Sequence, residues 1–304
     1  MYDLVIVGAG PAGLAASAYA IRKNLEFLTV ADTLGGKASE RVEIPITSEH
    51  RVIRPDELLA DFRRELEYLR DRYLAGTVAA ISRHDGGYSL SIETGGEPVR
   101  TESRSVLMAT GARARRLGVP GERELAGRAL GYSAVSYSHL LAGRTVFLYG
   151  DGRRGVDAAL EVALHAQSVV LTLAPAAEGR EHDRERLGEA KNITVLEGHT
   201  VESFHGDRYC RSVTLKSRTG ETARVDADAF FLELRPMPNS GLAAGLAQLD
   251  EDGHIVVDTR NRTSADGLFA AGDVTSVGLE QSLVAIGEGV KALLSAYAQL
   301  TAAP

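Results

Sequence analysis

Tyr2-Asp3-Leu4-Val5-Ile6-Val7-Gly8-Ala9-Gly10-Pro11-Ala12-Gly13, followed by the Ala-rich run Leu14 to Ile21, spells a strand, a glycine turn and a helix in succession. Tyr2 to Val7 is β-branched and aliphatic, which is strand chemistry. The turn is GxGxxG in the context it requires: Gly8 permits the tight bend, Gly10 lets the backbone approach a pyrophosphate, and Gly13 lets helix and strand pack closely. The helix N-terminus adds partial positive charge for phosphates. Residues 4–21 carry no charge and superficially resemble a membrane span or leader. Nothing basic precedes them, however, and Gly-Pro divides them, so the reading is a buried βα unit. A second strand, Glu26 to Val30, ends near Asp32. Asp32 reads either as the acid that holds a ribose hydroxyl or as a solvated loop acid.

The rest of the chain sets bounds around this unit. Its 304 residues suit two domains, and 44% hydrophobic with 25% charged residues is a globular composition. A net charge of −7 speaks against a nucleic-acid binder, whose footprint is basic. The one cysteine, Cys210, excludes an internal disulfide and a Cys-based zinc site and reads as a structural thiol. No metal site is expected. With no other targeting signal, the expectation is a cytoplasmic protein without a membrane segment.

Two later segments repeat the strand-to-turn grammar. Val106 to Met108 runs into Ala109-Thr110-Gly111, and Leu268-Phe269-Ala270-Ala271 into Gly272-Asp273, before a helix from Ser282 to Leu300. An Asp at such a strand end can bond a ribityl hydroxyl, and a helix N-terminus can face an electron-rich flavin edge. With the loop glycines Gly35 and Gly36, this order of GAGPAG, Gly-Gly, ATG and FAAGD resembles the two-dinucleotide-binding-domain flavoproteins. Within them the low-molecular-weight thioredoxin reductases and related ferredoxin–NADP reductases are the nearest groups. The resemblance spans essentially the whole chain and implies an α/β fold of two Rossmann-like domains, the second inserted into the first. It implies FAD held by Gly8, Gly10, Pro11, Ala12, Gly13, Asp32, Gly35, Gly36, Thr110, Gly111, Gly272 and Asp273. Gln281 and Ser282 match the residues that approach the flavin ring.

The second turn is Gly150-Asp151-Gly152-Arg153-Arg154-Gly155, between a strand from Arg144 to Tyr149 and a helix from Val156 to His165. Gly150, Gly152 and Gly155 would hold a second nucleotide, NADPH or NADH. The expected domains are 1–115 with 241–304 for FAD, and 116–240 for the nicotinamide nucleotide. Four departures from the resemblance stand out. Leu173-Ala174-Pro175 and Gly179 replace the basic grip on the NADPH 2′-phosphate. Arg180, Arg184 and Arg186 either substitute for that grip or form a solvated helix face. Asp151 places a negative charge in a turn that should cradle phosphate. Leu234-Arg235 replaces an Ile-Gly pair close to where a nicotinamide would stack. The redox CxxC of the family falls on Ser133-Ala134-Val135-Ser136, and its proton donor on Tyr137.

Disulfide exchange needs a thiolate and a second sulfur, so no side chain here is expected to be catalytic beyond the flavin. His139 reads as structural. The amphipathic stretch Pro55 to Leu69 is a helix that the resemblance assigns to a homodimer contact. Function then narrows to two alternatives. One is an FAD-dependent oxidoreductase passing electrons from NAD(P)H or reduced ferredoxin to an acceptor other than a protein disulfide, with a ferredoxin or flavodoxin-like protein as a candidate partner. The other is a flavin-binding sensor or scaffold without turnover.

Overall fold

The computed structural model describes residues 1–39, 42–45, 60–62, 64, 66, 70–174 and 181–302. The chain divides into two units: Met1–Glu40, Val52–Arg113 and Met237–Pro304 form the first, Arg41–Arg51 and Ala114–Pro236 the second. In chain order the strands are β1 Tyr2–Val7, β2 Phe27–Ala31, β3 Tyr73–Ala75, β4 Thr77–His84, β5 Gly87–Glu93, β6 Val99–Met108, β7 Ala112–Arg113, β8 Leu130–Gly131, β9 Thr145–Gly150, β10 Ser168–Leu173, β11 Ile193–Val195, β12 His199–Gly206, β13 Cys210–Ser217, β14 Thr222–Asp226, β15 Ala229–Glu233, β16 Met237–Pro238 and β17 Leu268–Ala270. The helices are α1 Pro11–Arg22, α2 Glu122–Leu125, α3 Gly152–Ala163, α4 Glu181–Glu189 and α5 Ser282–Ala302.

In the first unit the sheet runs β3-β2-β1-β6-β5-β4, with β17 beside β6. Pairs among β3, β2, β1, β6 and β17 are parallel, whereas β4–β5 and β5–β6 are antiparallel. Alternation along the strands builds two cores. Leu4, Ile6, Phe27, Leu107 and Phe269 pack with residues of α1 and α5. Val5, Val7, Leu28, Val30, Val106 and Met108 point to the other face, against Tyr88, Leu90 and Ile255. Burial on both faces is why β1 reads as a continuous apolar run. Pro11 opens α1, where a missing N–H costs nothing. The helix stops at Asn24, which takes the left-handed conformation (φ 53°). The Leu25 N–H then reaches the Ala20 carbonyl and the Asn24 N–H that of Ile21, the paired bonds of a Schellman end. Of the stretch Pro55 to Leu69, the described residues Ala60, Asp61, Phe62, Arg64 and Leu66 are helical, and the others lie outside the described residues.

The second unit holds a parallel sheet, β11-β10-β9-β15-β8, and an antiparallel one, β12-β13-β14. Val146, Leu148, Val169, Leu171 and Phe231 pack on Val156, Ala159 and Val162 of α3. Phe147, Tyr149, Phe230 and Leu232 meet Val201, Phe204, Val213 and Leu215 of the antiparallel sheet. The units part at Arg113 and Pro236, short of the expected 115 and 241, because β7 and β16 pair within the first unit: Met237 lies opposite Arg113 and Pro238 opposite Ala112. The described residues 42–45 go with the second unit. There the Val42 N–H donates to the Tyr137 hydroxyl (3.1 Å).

Candidate functional site

Four segments of the first unit converge at the N-terminus of α1. Gly8 lies at φ +104°, and a Cβ there would be 2.7 Å from the Ala109 carbonyl carbon and 3.1 Å from Thr110 Cα. Gly13 faces back onto Gly8, its would-be Cβ 2.8 Å from the Gly8 carbonyl carbon. Gly35 donates its N–H to the Ala9 carbonyl (2.7 Å), and a Cβ on Gly36 would be 3.1 Å from Gly10 Cα. A Cβ on Gly272 would be 3.1 Å from Ala12 Cβ. Gly10 alone in this turn opens outward: a Cβ there meets nothing within 4 Å. No side chain caps the first turn of α1, and no acid lies in it, so its N–H groups and helix dipole remain available to an anion. Open space at Gly10 before an uncapped helix fits a pyrophosphate.

The remaining candidates lie in the same unit. Pro11 and Ala12 begin α1. Thr110 and Gly111 are tied to Asn239: the Thr110 hydroxyl donates to the Asn239 carbonyl (2.8 Å), the Asn239 amide to the Thr110 carbonyl (2.9 Å), and the Asn239 N–H to the Gly111 carbonyl (2.9 Å). Asp32 follows β2 and is exposed, with the Thr33 hydroxyl donating to it (3.3 Å). Gln281 precedes α5 and Ser282 begins it; the Ala285 N–H bonds the Gln281 carbonyl (2.9 Å).

Three charged residues that sequence reasoning missed complete the set. Lys37, next to Gly36, places Nζ 2.8 Å from Asp273 Oδ2 and 3.0 Å from Glu280 Oε2. Glu288, on α5 and 6% exposed, accepts the Gly272 N–H (2.8 Å) and the Thr275 hydroxyl (3.4 Å). Burial pushes its carboxyl pKa up, against the opposing pull of the Gly272 N–H. It thereby pins the turn that presents Asp273.

In the second unit, β9 delivers the turn and α3 starts at Gly152, four residues before the expected Val156. Gly150 and Gly155 touch, a Cβ on Gly155 being 2.7 Å from Gly150 Cα, while Gly152 (φ +48°) faces open space. Asp151 stands at the helix N-cap without capping it. Its Oδ2 instead accepts the Arg235 N–H (3.0 Å). The acid is thus a tether between the turn and the end of β15, a role that charge alone did not suggest. Arg235 is exposed. The neighbouring Glu233 is 1% exposed, accepts the Ala134 N–H and faces Arg154 Nε at 3.3 Å.

The arginines near the missing phosphate grip are held by acids. Arg184 bonds Glu197 through two nitrogens (3.0 and 3.1 Å). Arg186 lies 2.7 Å from Asp157 and 3.7 Å from Asp183. Pro175, Gly179 and Arg180 lie outside the described residues. Ser133 and Ser136 bring their hydroxyls within 3.0 Å of each other. Tyr137 stacks on Phe231, and His139 is exposed on the same 3-10 helix, Val135–Leu140. Cys210 is 1% exposed, and burial pushes its thiol up to about 12.

No helix among the described residues is long and apolar enough to cross a membrane. Residues 2–289 match the pyridine nucleotide-disulphide oxidoreductase family. A Bacillus subtilis NADH dehydrogenase is 30% identical over 299 residues, covering 97% of this chain and 58% of the relative. An alkyl hydroperoxide reductase protein of Pseudomonas putida is 32% identical over 310 residues, covering 100% and 59%. The chain thus spans under two thirds of the length of these curated relatives. Thioredoxin reductase of Streptococcus pyogenes superposes with a TM-score of 0.88 at 26% identity, covering 100% of this chain and 99% of that one. That of Giardia duodenalis superposes at 0.85 and 26%, covering 99% of each. With its two parallel-sheet units and glycine turns, the chain belongs to the pyridine nucleotide-disulphide oxidoreductase family and is thioredoxin reductase-like in structure.

Proposed function

We propose that the chain is an oxidoreductase whose only redox centre is FAD, with no dithiol relay, and that it draws electrons from NADH at least as readily as from NADPH. The observation that carries this reading is the Ser133–Ser136 pair, two hydroxyls 3.0 Å apart in the register of the family's CxxC. A serine hydroxyl neither ionises near neutral pH nor forms a sulfur–sulfur bond. Cys210 is no substitute, being buried and far from ionisation at pH 7.

Bound FAD would supply the electron transfer itself. The chain's own residues position it. Backbone N–H groups at the start of α1 would face the pyrophosphate across Gly10, Pro11, Ala12 and Gly13. Asp32 would take a ribose hydroxyl and Asp273 a ribityl hydroxyl. Gly35, Gly36, Thr110 and Gly111 would line the approach, and Gln281 and Ser282 would meet the ring from the start of α5.

For the nicotinamide nucleotide, Gly150, Gly152 and Gly155 offer a close-packed turn with open space at Gly152. Beyond it, Arg184 and Arg186 are engaged by Glu197, Asp157 and Asp183 and would have to leave these partners to bind a 2′-phosphate. Each charge-assisted hydrogen bond lost to that phosphate is about 1.5–3 kcal/mol. Two such losses move a micromolar affinity towards millimolar. Anaerobic titration with NADH and then NADPH, following bleaching of the flavin band, tests the donor. Bleaching by NADH at concentrations no higher than NADPH requires supports the reading. A clear preference for NADPH would refute it and return the phosphate grip to the arginines. Bleaching by reduced ferredoxin alone would leave the flavin reading standing and replace the donor.

A further inference from the structure

The turn Gly36–Ser39 carries a cation to the edge of the FAD cradle. Lys37 follows Gly36, which abuts Gly10, and its ammonium is shared by two carboxylates from the other end of the chain: Asp273 at 2.8 Å and Glu280 at 3.0 Å. The acids are the better buried, with side chains 14% and 20% exposed against 38% for Lys37. Burial alone would lower the Lys37 pKa, but Asp273 and Glu280 raise it on balance, so the ammonium stays charged at working pH. Each sign of this cluster can be removed separately by substitution. Glu280 also directly precedes Gln281 and Ser282, the residues assigned to the flavin ring.

Resting on the FAD reading above, we propose that Lys37 is a positioning residue for the flavin: it clasps the glycine turn to Asp273 and Glu280, and with Glu280 as its counter-charge it sets the reduction potential of the bound cofactor. Reduction places negative charge on the isoalloxazine, so charge near the ring tunes its electronics. A fixed cation favours the reduced form and a fixed carboxylate opposes it, more strongly in a partly buried site than in water.

The two charges make opposite predictions. Native protein, Lys37→Gln and Glu280→Gln are compared as FAD-loaded 304-residue chains. Midpoint potentials come from anaerobic equilibration with a reference dye, and oxidised FAD affinity from fluorescence titration of the deflavinated proteins. Lys37→Gln is expected to weaken reduced relative to oxidised FAD about tenfold, a shift of about 30 mV to more negative potential for a two-electron couple. Glu280→Gln is expected to shift it by a similar amount the other way, and Lys37→Arg to keep the native value. Potentials that stay put, or that move in the same direction in both glutamine variants, would overturn the proposal and reduce the trio to a structural clasp. Should Lys37→Gln fail to fold, as judged by thermal unfolding without FAD, the sign of the Glu280→Gln shift still decides. A native chain that binds no FAD would instead refute the cradle reading itself.

Discussion

Gly10 and Gly13 lie three residues apart in one turn, yet substitution should separate cofactor binding from folding. Gly10 has φ −72° and ψ −172°, which any L-residue adopts, and its Cβ direction is clear of atoms within 4 Å. In Gly10→Val the deflavinated fold gains about 0.4–1 kcal/mol from a stiffer unfolded chain and loses a comparable amount because valine is a poor N-cap. Its stability should therefore stay within about 1 kcal/mol of native. The isopropyl group, however, fills the space before the α1 amides. Losing one or two charge-assisted bonds to a pyrophosphate, about 3 kcal/mol together, weakens FAD roughly 100-fold. Gly13→Ala behaves differently, because its Cβ would lie 2.8 Å from the Gly8 carbonyl carbon, and backbone must move. Overpacking of this kind costs about 1–3 kcal/mol, and each kcal/mol lowers Tm by roughly 2–4 °C in a domain of some 150–250 residues. Thermal unfolding of the deflavinated proteins and FAD fluorescence titration measure the two effects. A Gly10→Val protein that melts many degrees early, or binds FAD with native affinity, would refute the reasoning.

Arg235→Gly keeps the main-chain bond to Asp151, so it tests the side chain alone; flavin reduction by NADH should accelerate in stopped flow, and an unchanged or slower rate would show that the side chain does not obstruct the nicotinamide. Because the Glu288 pKa is raised on folding, the native state holds a proton that the unfolded chain has lost. That contribution is complete below the ordinary carboxylate value and is lost as pH rises through the folded one, at about 1.4 kcal/mol per pH unit separating the two. Glu288→Gln should flatten this slope in urea unfolding between about pH 4 and 8, and an unaltered slope would contradict the assignment. Cys210 should resist iodoacetamide at about pH 8 in the folded protein and react once urea is added; labelling of the native chain would show that its thiol is accessible.

Local chemistry was readable in the sequence, and pairing across the chain was not. The strand, glycine turn and helix at residues 2–22 are dictated by neighbours within a few residues, as is the Gly150–Gly155 turn. The convergence of Gly8, Thr110, Gly36 and Gly272 on one cradle follows from the order of parallel strands. The charges were harder. Lys37 and Glu280 are 243 residues apart, and neither carries a local signal of the other. Asp151 read as repulsion of a phosphate because its charge is visible in sequence, whereas the Arg235 N–H that it accepts is a main-chain group no side-chain pattern announces. Arg184 and Arg186 could be read as a grip or as a solvated face. Their carboxylate partners, Glu197 and Asp157, are fixed only by the packing of α4 beside α3 and β11.

The central claim, a flavin acting alone, is tested most directly by anaerobic dithionite titration of the purified 304-residue chain with its FAD content known. Full bleaching after two electrons per FAD is the predicted result, with no earlier phase in which electrons are taken up silently. Consumption of four electrons per FAD would contradict it, requiring a second two-electron centre that Ser133, Ser136 and the single buried cysteine do not provide.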